Sequence, residues 1–365
     1  MKASVPFSVP PARLGIYTIG DANVPSTRFR ITQYLPLLRA QGFQVRVFKL
    51  PPCKGGRIAK FVISLWQGLV RWLQLFTAGD YDVVIIQKGL TPWRCRGLSS
   101  CLRWIKNPVI FDIDDAVYLD VPVRLPGPLK WLQEHDEPLT LIKSASHVMA
   151  GSEYLKNQMR DWQPRVSVVP TVVDSDKYFP VEKQNASSRV VVGWMGSAST
   201  NKYLGELIPV LSSLAERNDY ELLVVSENMK GIDASRMKGV TLRFYPWRES
   251  EELARLREMD IGLMPLQDDA WARGKCGLKA LLYMSVAVPP VCSPVGVNQE
   301  IVADGENGFW ADTHEQWEKK LEMLMRDKNL RKRMGAKARK TVESRYSVRA
   351  VFPKLERVLA EVLNR

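Results

Sequence analysis

The sequence of 365 residues lacks several features that would assign a function at once. It has only three histidines and five scattered cysteines, and no two cysteines form a Cys-x-x-Cys pair. This pattern argues against a zinc site and favours reduced thiols in a cytosolic protein. No run of 18 or more apolar residues is present, so we expect no transmembrane helix. The first ten residues lack a long apolar segment, which argues against a signal peptide.

Glutamate is absent from the first 106 residues, and aspartate is rare there. This segment holds 16 lysines and arginines against three aspartates, a balance of +13. The whole chain also carries +13, so the remainder is neutral in sum. The imbalance predicts an anionic partner: a membrane surface, nucleic acid or a phosphorylated substrate. Nucleic acid is the weakest of the three, because the basic residues are dispersed and no recognised nucleic-acid motif is present.

Residues 57–76 combine basic side chains with aromatic ones, including Trp66 and Trp72, at helical spacing. This pattern is typical of an interfacial helix on a membrane. The same pattern also fits an ordinary amphipathic helix that packs its aromatic residues against a sheet. Both interpretations stay open at this point.

Apolar strand-like runs alternate with helix-like runs along the chain, as in LGIYTI (14–19) followed by the helical pattern of 27–42. Such alternation indicates a parallel sheet covered by helices on both faces. A polar stretch at 174–189 interrupts the pattern, which then restarts. We therefore predict an α/β fold of two doubly wound, Rossmann-like domains facing a central cleft. The predicted boundaries are 1–178, 179–345 and a C-terminal helix at 346–365 that packs back toward the first domain.

Ligands of open α/β sheets bind at the carboxyl ends of the strands, so polar residues there are candidates for function. The run FDIDDAVYL (111–119) ends one predicted strand with Asp112, Asp114 and Asp115. A metal site would need further oxygen ligands, and none can be identified. We predict that Asp114 or Asp115 faces the ligand and that Asp112 makes a structural hydrogen bond. The alternative is that all three only end the strand.

Two stretches of the second half place small, polar and cationic residues where helices begin. One stretch is GWMGSASTNKYLGEL, in which Gly196, Ser197 and Lys202 could hold a phosphate. The alternative is a tight turn with an N-cap residue, which has the same sequence pattern. Further on, three cations stand before and at the start of a helix, and an acidic residue follows near the next helix start. Such cations could neutralise a pyrophosphate leaving group without a metal. These later residues are Arg273, Lys275, Lys279 and Glu300.

The motifs together resemble a known family. Six segments of the second half resemble the nucleotide-sugar-binding domain of the retaining "group 1" glycosyltransferases of GT-B fold. They are GWMGS, FYPW, MDIGLMPL, GLKALLYM, PPVCSPVGVNQEIV and DGENGFW. Three segments of the first half resemble members of this family that act in bacterial polysaccharide assembly. They are GIYTIGDANVPSTRFRITQYLPLLRAQGFQV, VIIQKG and VIFDIDDAVY. The resemblance implies metal-independent transfer of a sugar from a nucleoside-diphosphate donor to a polysaccharide or lipid-linked glycan. It implies no cofactor.

The resemblance also implies roles for particular residues. The cations that hold the donor phosphates map to Lys202 and Lys279, and the nucleobase lies beside Tyr245 and Trp247. Glu300 lies in the donor-side loop. On the acceptor side we expect Gly20, Arg28 and Arg30, with Asp114 or Asp115 as the catalytic group.

Several positions depart from the family pattern. Two glutamates usually stand eight positions apart where this chain has Gly274 and Leu282, and an arginine is usual where it has Ser197. A small-Gly-Pro pattern is replaced by the residues 286–289, VAVP. We hypothesise that Arg273 and Lys275 take over phosphate neutralisation.

The leading prediction is a glycosyltransferase at the cytoplasmic membrane face, whose basic first domain makes a peripheral contact with the membrane. One alternative is a nucleotide-sugar epimerase or hydrolase, which would release product without an acceptor. Another is a non-catalytic binding module, which the missing glutamates make plausible. A metal-dependent transferase or phosphatase using Asp-Ile-Asp would lose its activity with a chelator.

Overall fold

A computed structural model describes residues 12–21, 23–53, 55–119, 125, 127–182 and 189–364. By its internal contacts the chain divides into two compact units. The first comprises residues 1–171, 274–276 and 351–365, and the second comprises residues 172–273 and 277–350.

The first unit is built on a six-stranded parallel sheet with the strand order β2-β1-β3-β4-β5-β6. The strands are almost continuous apolar runs because both faces of the sheet are covered. They are β1 (Arg13–Thr18), β2 (Gln44–Phe48), β3 (Val83–Gln87), β4 (Val109–Ile113), β5 (His147–Ala150) and β6 (Val166–Val168). The helices are α1 (Pro25–Arg30), α2 (Leu35–Ala40), α3 (Arg57–Phe76), α4 (Glu137–Ser144) and α5 (Glu153–Met159).

The second unit repeats this architecture with the order β12-β11-β10-β7-β8-β9. Its strands are β7 (Val190–Met195), β8 (Tyr220–Ser226), β9 (Thr241–Pro246), β10 (Ile261–Met264), β11 (Pro290–Cys292) and β12 (Phe309–Trp310). Its helices are α6 (Asn201–Glu206), α7 (Ile208–Ala215), α8 (Glu249–Glu258), α9 (Ala270–Arg273), α10 (Leu278–Ser285), α11 (Asn298–Ile301), α12 (His314–Arg326), α13 (Lys328–Thr341) and α14 (Val348–Leu363). From residue 351 onward, α14 belongs to the first unit, where Phe352 packs near Tyr34.

The predicted fold class is confirmed, because both sheets are parallel and helices connect most of their successive strands. Each sheet has one point at which the strand order reverses. In the first unit this switch point lies between β1 and β3, and in the second it lies between β7 and β10. The loops that leave the carboxyl ends of these strand pairs flank a crevice, which is the usual ligand site of this architecture.

Two predicted helices are shorter than expected. The predicted helix at 27–42 is interrupted between α1 and α2, where Pro36 stands in the first turn of α2. A proline fits the first turn of a helix and not its interior, so the chain begins a new helix at Leu35. The sequence pattern of 129–145 also predicts a helix, which is regular only in α4, where the first turn likewise contains a proline, Pro138.

The turn after α10 has strained backbone. Ala287 has φ 59°, in the left-handed region that favours glycine. The departure from the family pattern at residues 286–289 therefore lies in a turn whose backbone favours glycine. The carbonyl of Ala287 faces Gly335 of α13, where a Cβ would come within 2.0 Å of it.

Candidate functional site

The switch point of the first unit brings together a lysine and two aspartates. Lys88 follows β3 directly and has φ 67°. Its Nζ contacts the carboxylate of Asp115 and lies 3.7 Å from Oδ1 of Asp114 and 3.3 Å from Oγ of Ser26. Burial alone would lower the pKa of Lys88, but Asp114 and Asp115 raise it overall, so the ammonium stays charged.

Asp114 and Asp115 differ in how fully their oxygens are used. Within the described residues, Oδ1 of Asp114 is buried and has no hydrogen-bond partner. The side chain of Asp115 is 22% exposed and that of Asp114 is 10% exposed. A buried carboxylate oxygen without a hydrogen bond is uncommon in folded proteins and calls for a ligand or a water. These two residues can therefore accept hydrogen bonds from a hydroxyl group that enters the crevice.

Asp112 makes the structural interaction predicted for it. In the sheet register, Thr18 pairs with Gln87 and Gln87 pairs with Asp112, so three polar residues stand side by side on neighbouring strands. Its carboxylate forms an ion pair with Arg30, and both side chains are at most 2% exposed. Burial alone would lower the pKa of Arg30, but Asp112 raises it overall.

Arg30 lies in the interior of the first unit, and its acceptor-side role stays a prediction. Its guanidinium donates to both oxygens of Asp112 and to the carbonyl of Val169, so it stabilises the interior of the first unit. Arg28 is also buried, and its guanidinium lies 4.6 Å from the centre of the Phe29 ring. Gly20 stands in the loop after β1, where its carbonyl accepts a hydrogen bond from Thr18. Only Gly20 of these three lies in a loop of the switch point.

Sequence reasoning missed Lys88. The available signal was the Lys-Gly pair in VIIQKG, directly after a buried strand. In the loop that carries Lys88, both backbone polar groups of Leu90 are hydrogen-bonded. The Leu90 N–H donates to Glu137 over 3.0 Å, and the Leu90 carbonyl accepts from Arg71 over 2.9 Å. Burial raises the pKa of Glu137 to about 8.

The switch point of the second unit places Lys279 over the loop that follows β7. Lys279 stands in the first turn of α10, and its Nζ lies 5.7 Å from the centre of the Trp194 ring. A Cβ at Gly196 would lie 2.6 Å from Cε of Lys279 and 2.7 Å from the Trp194 ring. A side chain at this position would therefore force Lys279 or the Trp194 ring to shift. A cation in the first turn of a helix opposes the helix dipole, which makes this a natural place for an anion.

Ser197 lies in this loop, and Lys202 belongs to the helix that follows it. Lys202 is exposed in the first turn of α6 and lies 4.9 Å from the centre of the Tyr203 ring. Ser197 is exposed, and its hydroxyl is 3.0 Å from that of Ser199. The loop after β10 reaches the same helix, because Gln267 donates to Glu206 over 2.6 Å. Gly196, Ser197, Lys202 and Lys279 thus flank one switch point.

The other predicted donor-site residues are distributed differently. Arg273 forms a two-pronged ion pair with Asp268, at 2.6 and 2.9 Å, so its charge is already compensated. Lys275 is half-buried in the segment 274–276, which belongs to the first unit. The hypothesis that both residues take over phosphate neutralisation stays a prediction.

Tyr245 and Trp247 lie at the carboxyl end of β9, two strands away from β7. The Tyr245 ring stacks against the guanidinium of Arg255, at 3.6 Å from its centre. The indole of Trp247 donates to Glu252 over 2.8 Å. Their side chains are thus engaged within the second unit, and the Trp247 N–H donates to the carbonyl of Ser226 over 2.9 Å. Glu300 is exposed on α11.

The two positions where the family pattern has glutamates are closely packed in this chain. A Cβ at Gly274 would lie 2.6 Å from the Cβ of Ala116 and 2.9 Å from its backbone nitrogen. A glutamate therefore does not fit at Gly274 without a shift of this backbone. Leu282 lies on α10 and is 5% exposed, so a carboxylate there would be buried.

Within the described residues, no group of three or more histidines, cysteines, aspartates and glutamates is placed to hold a metal. The three aspartates of FDIDDAVYL are instead partnered by cations of the protein itself, Arg30 and Lys88. No helix of the described chain is long and apolar enough to cross a membrane.

The chain was compared with known proteins. Residues 176–341 match the family described as glycosyl transferases group 1. Sucrose-phosphate synthase from Thermosynechococcus elongatus superposes with a TM-score of 0.73 at 15% identity, over 96% of this chain and 100% of that one. HepE of Anabaena, in complex with UDP and glucose, superposes with a TM-score of 0.67 at 14% identity, over 96% of this chain and 100% of that one. A glycosyltransferase from Rickettsia africae superposes with a TM-score of 0.64 at 13% identity, over 96% of this chain and 98% of that one.

No curated protein matches the chain in sequence. The solved structures are too distant in sequence to show more than the fold, which they share over nearly their whole length. The family match covers the second unit from shortly after its first residue, including both loops of its switch point. The chain therefore has the GT-B fold, and its residues 176–341 form a group 1 glycosyltransferase domain.

Proposed function

We propose that the protein transfers a sugar from a nucleoside-diphosphate-sugar donor to a polysaccharide or lipid-linked glycan. The resemblance to polysaccharide-assembly members, and to a family that retains the anomeric configuration, is the basis for the acceptor class and for retention. We place the reaction at the cytoplasmic face of a membrane. In the solved HepE structure, the nucleotide present is UDP, which supports a nucleoside diphosphate as the leaving group.

The donor half of the proposal rests on the switch point of the second unit. Transfer leaves a nucleoside diphosphate, whose negative charge grows as the bond to the sugar breaks. Lys279, in the first turn of α10, and Lys202, in that of α6, are cations beside the loop at Gly196 and Ser197. Preorganised cations and helix N-termini stabilise such charge without reorganisation at the moment of reaction. The backbone at Tyr245 and Trp247 is the proposed contact for the base.

The acceptor half rests on the switch point of the first unit, and one observation carries it. Oδ1 of Asp114 is buried and has no hydrogen bond within the described residues, although it lies next to the charged Lys88. A hydroxyl of the acceptor would supply the missing donor. Asp114 or Asp115 would then orient that hydroxyl or take its proton, while Lys88 balances the two negative charges. Gly20 lies across the same switch point.

We infer metal independence from the charges of the two switch points. The aspartates that could have held a divalent ion are balanced by Arg30 and Lys88, and the donor loop is flanked by Lys202 and Lys279. In this proposal the lysines of the second unit take the place of the metal that other transferases use at the diphosphate.

The proposal is tested by release of nucleoside diphosphate from UDP-, GDP- and dTDP-sugars, with and without bacterial membranes as the source of acceptor. We expect release from one donor only when membranes are present, and the same rate after addition of EDTA. Release without acceptor would indicate a hydrolase, and an isomerised donor sugar an epimerase. Loss of activity with EDTA would contradict metal independence, and binding without turnover would indicate a binding module.

A further inference from the structure

Helix α3 has its polarity reversed relative to an ordinary surface helix. Its inward face is polar: Arg71 is fully buried and donates to the carbonyls of Thr18, Phe48 and Leu90. Gln67 on the same face donates to the carbonyl of Pro51 over 2.7 Å. Burial lowers the pKa of Arg71 to about 10, which still leaves it charged at neutral pH. The inward face is therefore fixed to the first unit by hydrogen bonds.

The outward face of α3 is apolar over four turns. A surface helix of a globular protein normally turns its apolar stripe to the core and its polar residues to water. Here more than half of the large apolar side chains found exposed in the described chain lie on this one helix. They are Val62, Leu65, Trp66, Leu69, Trp72, Leu73 and Phe76, each between 41% and 60% exposed.

This arrangement requires an occupant for the outward face. Isolated apolar residues on a surface are ordinary, but a contiguous stripe at the spacing i, i+3, i+4, i+7 marks an interaction site. The helix cannot turn the stripe inward, because rotation would break the three hydrogen bonds of Arg71 and leave its charge without partners in the interior.

We propose that the outward face of α3 docks on the surface of an anionic lipid bilayer. The charge of the surrounding chain favours this occupant: residues 22–79 contain no aspartate or glutamate, while Lys49 and Lys60 are exposed beside and on the helix. The same charge disfavours a second copy of the chain, because two such faces would bring like charges together. Tryptophan is enriched at the headgroup level of membranes, where Trp66 and Trp72 would lie.

The geometry sets how the helix would lie. A helix of 20 residues is about 30 Å long, and its inner face is committed to the first unit along this length. The helix therefore lies in the plane of the interface, with its apolar residues among the upper parts of the acyl chains and its basic residues among the headgroups.

The docking helix also contacts the proposed acceptor site. Arg71 holds the carbonyls of Thr18, at the end of β1, and Leu90, two residues after Lys88. The two loops of the switch point are thus anchored to α3. This consequence rests on the proposed function: a lipid-linked glycan would reach Lys88 and Asp115 from the bilayer to which α3 is bound. Binding of the bilayer itself does not depend on that function.

The test is co-sedimentation of the full chain with phosphatidylcholine vesicles that contain phosphatidylglycerol, in the absence of donor. We expect the wild type to sediment with these vesicles, less in high salt, and weakly with pure phosphatidylcholine. The double variant Trp66→Glu/Leu69→Glu should lower the partition coefficient by at least about tenfold. The matched control is Met323→Glu, at an apolar residue of the second unit that is 41% exposed; it should bind as the wild type does.

A second variant guards against misfolding. Trp66→Phe/Trp72→Phe should still bind vesicles, but its fluorescence should be quenched less than that of the wild type by lipids with brominated acyl chains. Equal quenching would overturn the proposed orientation. Failure of the wild type to bind the anionic vesicles, or full binding by the glutamate variant, would overturn the proposal. So would a wild-type dimer that the glutamate variant dissociates in light scattering, since the occupant would then be a second copy. Donor turnover is measured separately, so a failure here leaves the proposed transferase activity standing.

Discussion

Replacement of Lys279 by alanine is expected to lower kcat/KM for sugar transfer by about 10²- to 10³-fold, the usual effect of removing one preorganised group that stabilises the charge of a transition state. Lys279 is the cation whose stem crosses Gly196 and whose position in the first turn of α10 aligns it with the helix N-terminus. Its charge opposes the helix dipole when the site is empty, and a diphosphate would remove that penalty. Steady-state kinetics of nucleoside-diphosphate release measure the effect.

Two control variants separate this role from a general loss of charge. Lys279→Arg keeps the charge and is expected to keep part of the activity, since its planar group differs in geometry from an ammonium. Lys319→Ala removes an exposed lysine of α12 in the same unit and should leave kcat/KM unchanged. If Lys279→Ala were as active as Lys319→Ala, Lys279 would not contact the diphosphate.

Replacement of Asp112 by alanine is expected to lower the free energy of unfolding by about 3–5 kcal/mol. The variant leaves the charge of Arg30 buried with one remaining acceptor, the carbonyl of Val169. The cost is large because both partners are almost completely buried, so water cannot replace the lost carboxylate. Urea unfolding followed by circular dichroism measures the change in the transition of the first unit.

The matched control for this variant is Asp219→Ala, which removes the partner of Arg189 from a surface ion pair. The side chains of Asp219 and Arg189 are 68% and 46% exposed, and such pairs contribute about 0–1 kcal/mol to the free energy of unfolding. A small effect of Asp112→Ala, similar to that of Asp219→Ala, would mean that Arg30 finds another partner or reaches solvent.

The fold was predictable because its signals are local and repeated. Continuous apolar runs that alternate with helical periodicity predict two parallel sheets, and that prediction is confirmed. The sequence does not encode the order of the strands in so simple a pattern, so the two switch points are visible only in the structure. For this reason Lys88 was missed, although its neighbours Asp114 and Asp115 were selected from their place at a strand end.

Side-chain partners were harder to predict than backbone elements. Arg28 and Arg30 stand four and six residues after Val24, the last residue of the loop after β1, and were predicted on the acceptor side. Both side chains are buried in the structure. Burial of a charged side chain depends on a partner far along the chain, as Asp112 is for Arg30. The reversed polarity of α3 has the same cause, because hydropathy gives the two faces of a helix but not which of them meets the protein.

The central claim is that the second unit binds a nucleoside-diphosphate sugar at its switch point. The measurement that tests it most directly is calorimetric titration of the chain with UDP-, GDP- and dTDP-sugars, beside the variant Gly196→Ala. A Cβ at Gly196 would displace Lys279 or the Trp194 ring. We predict one donor that binds with a stoichiometry of one in EDTA and whose affinity falls at least about tenfold in the variant. Absence of binding for every donor, or equal affinity of the variant, would contradict the account.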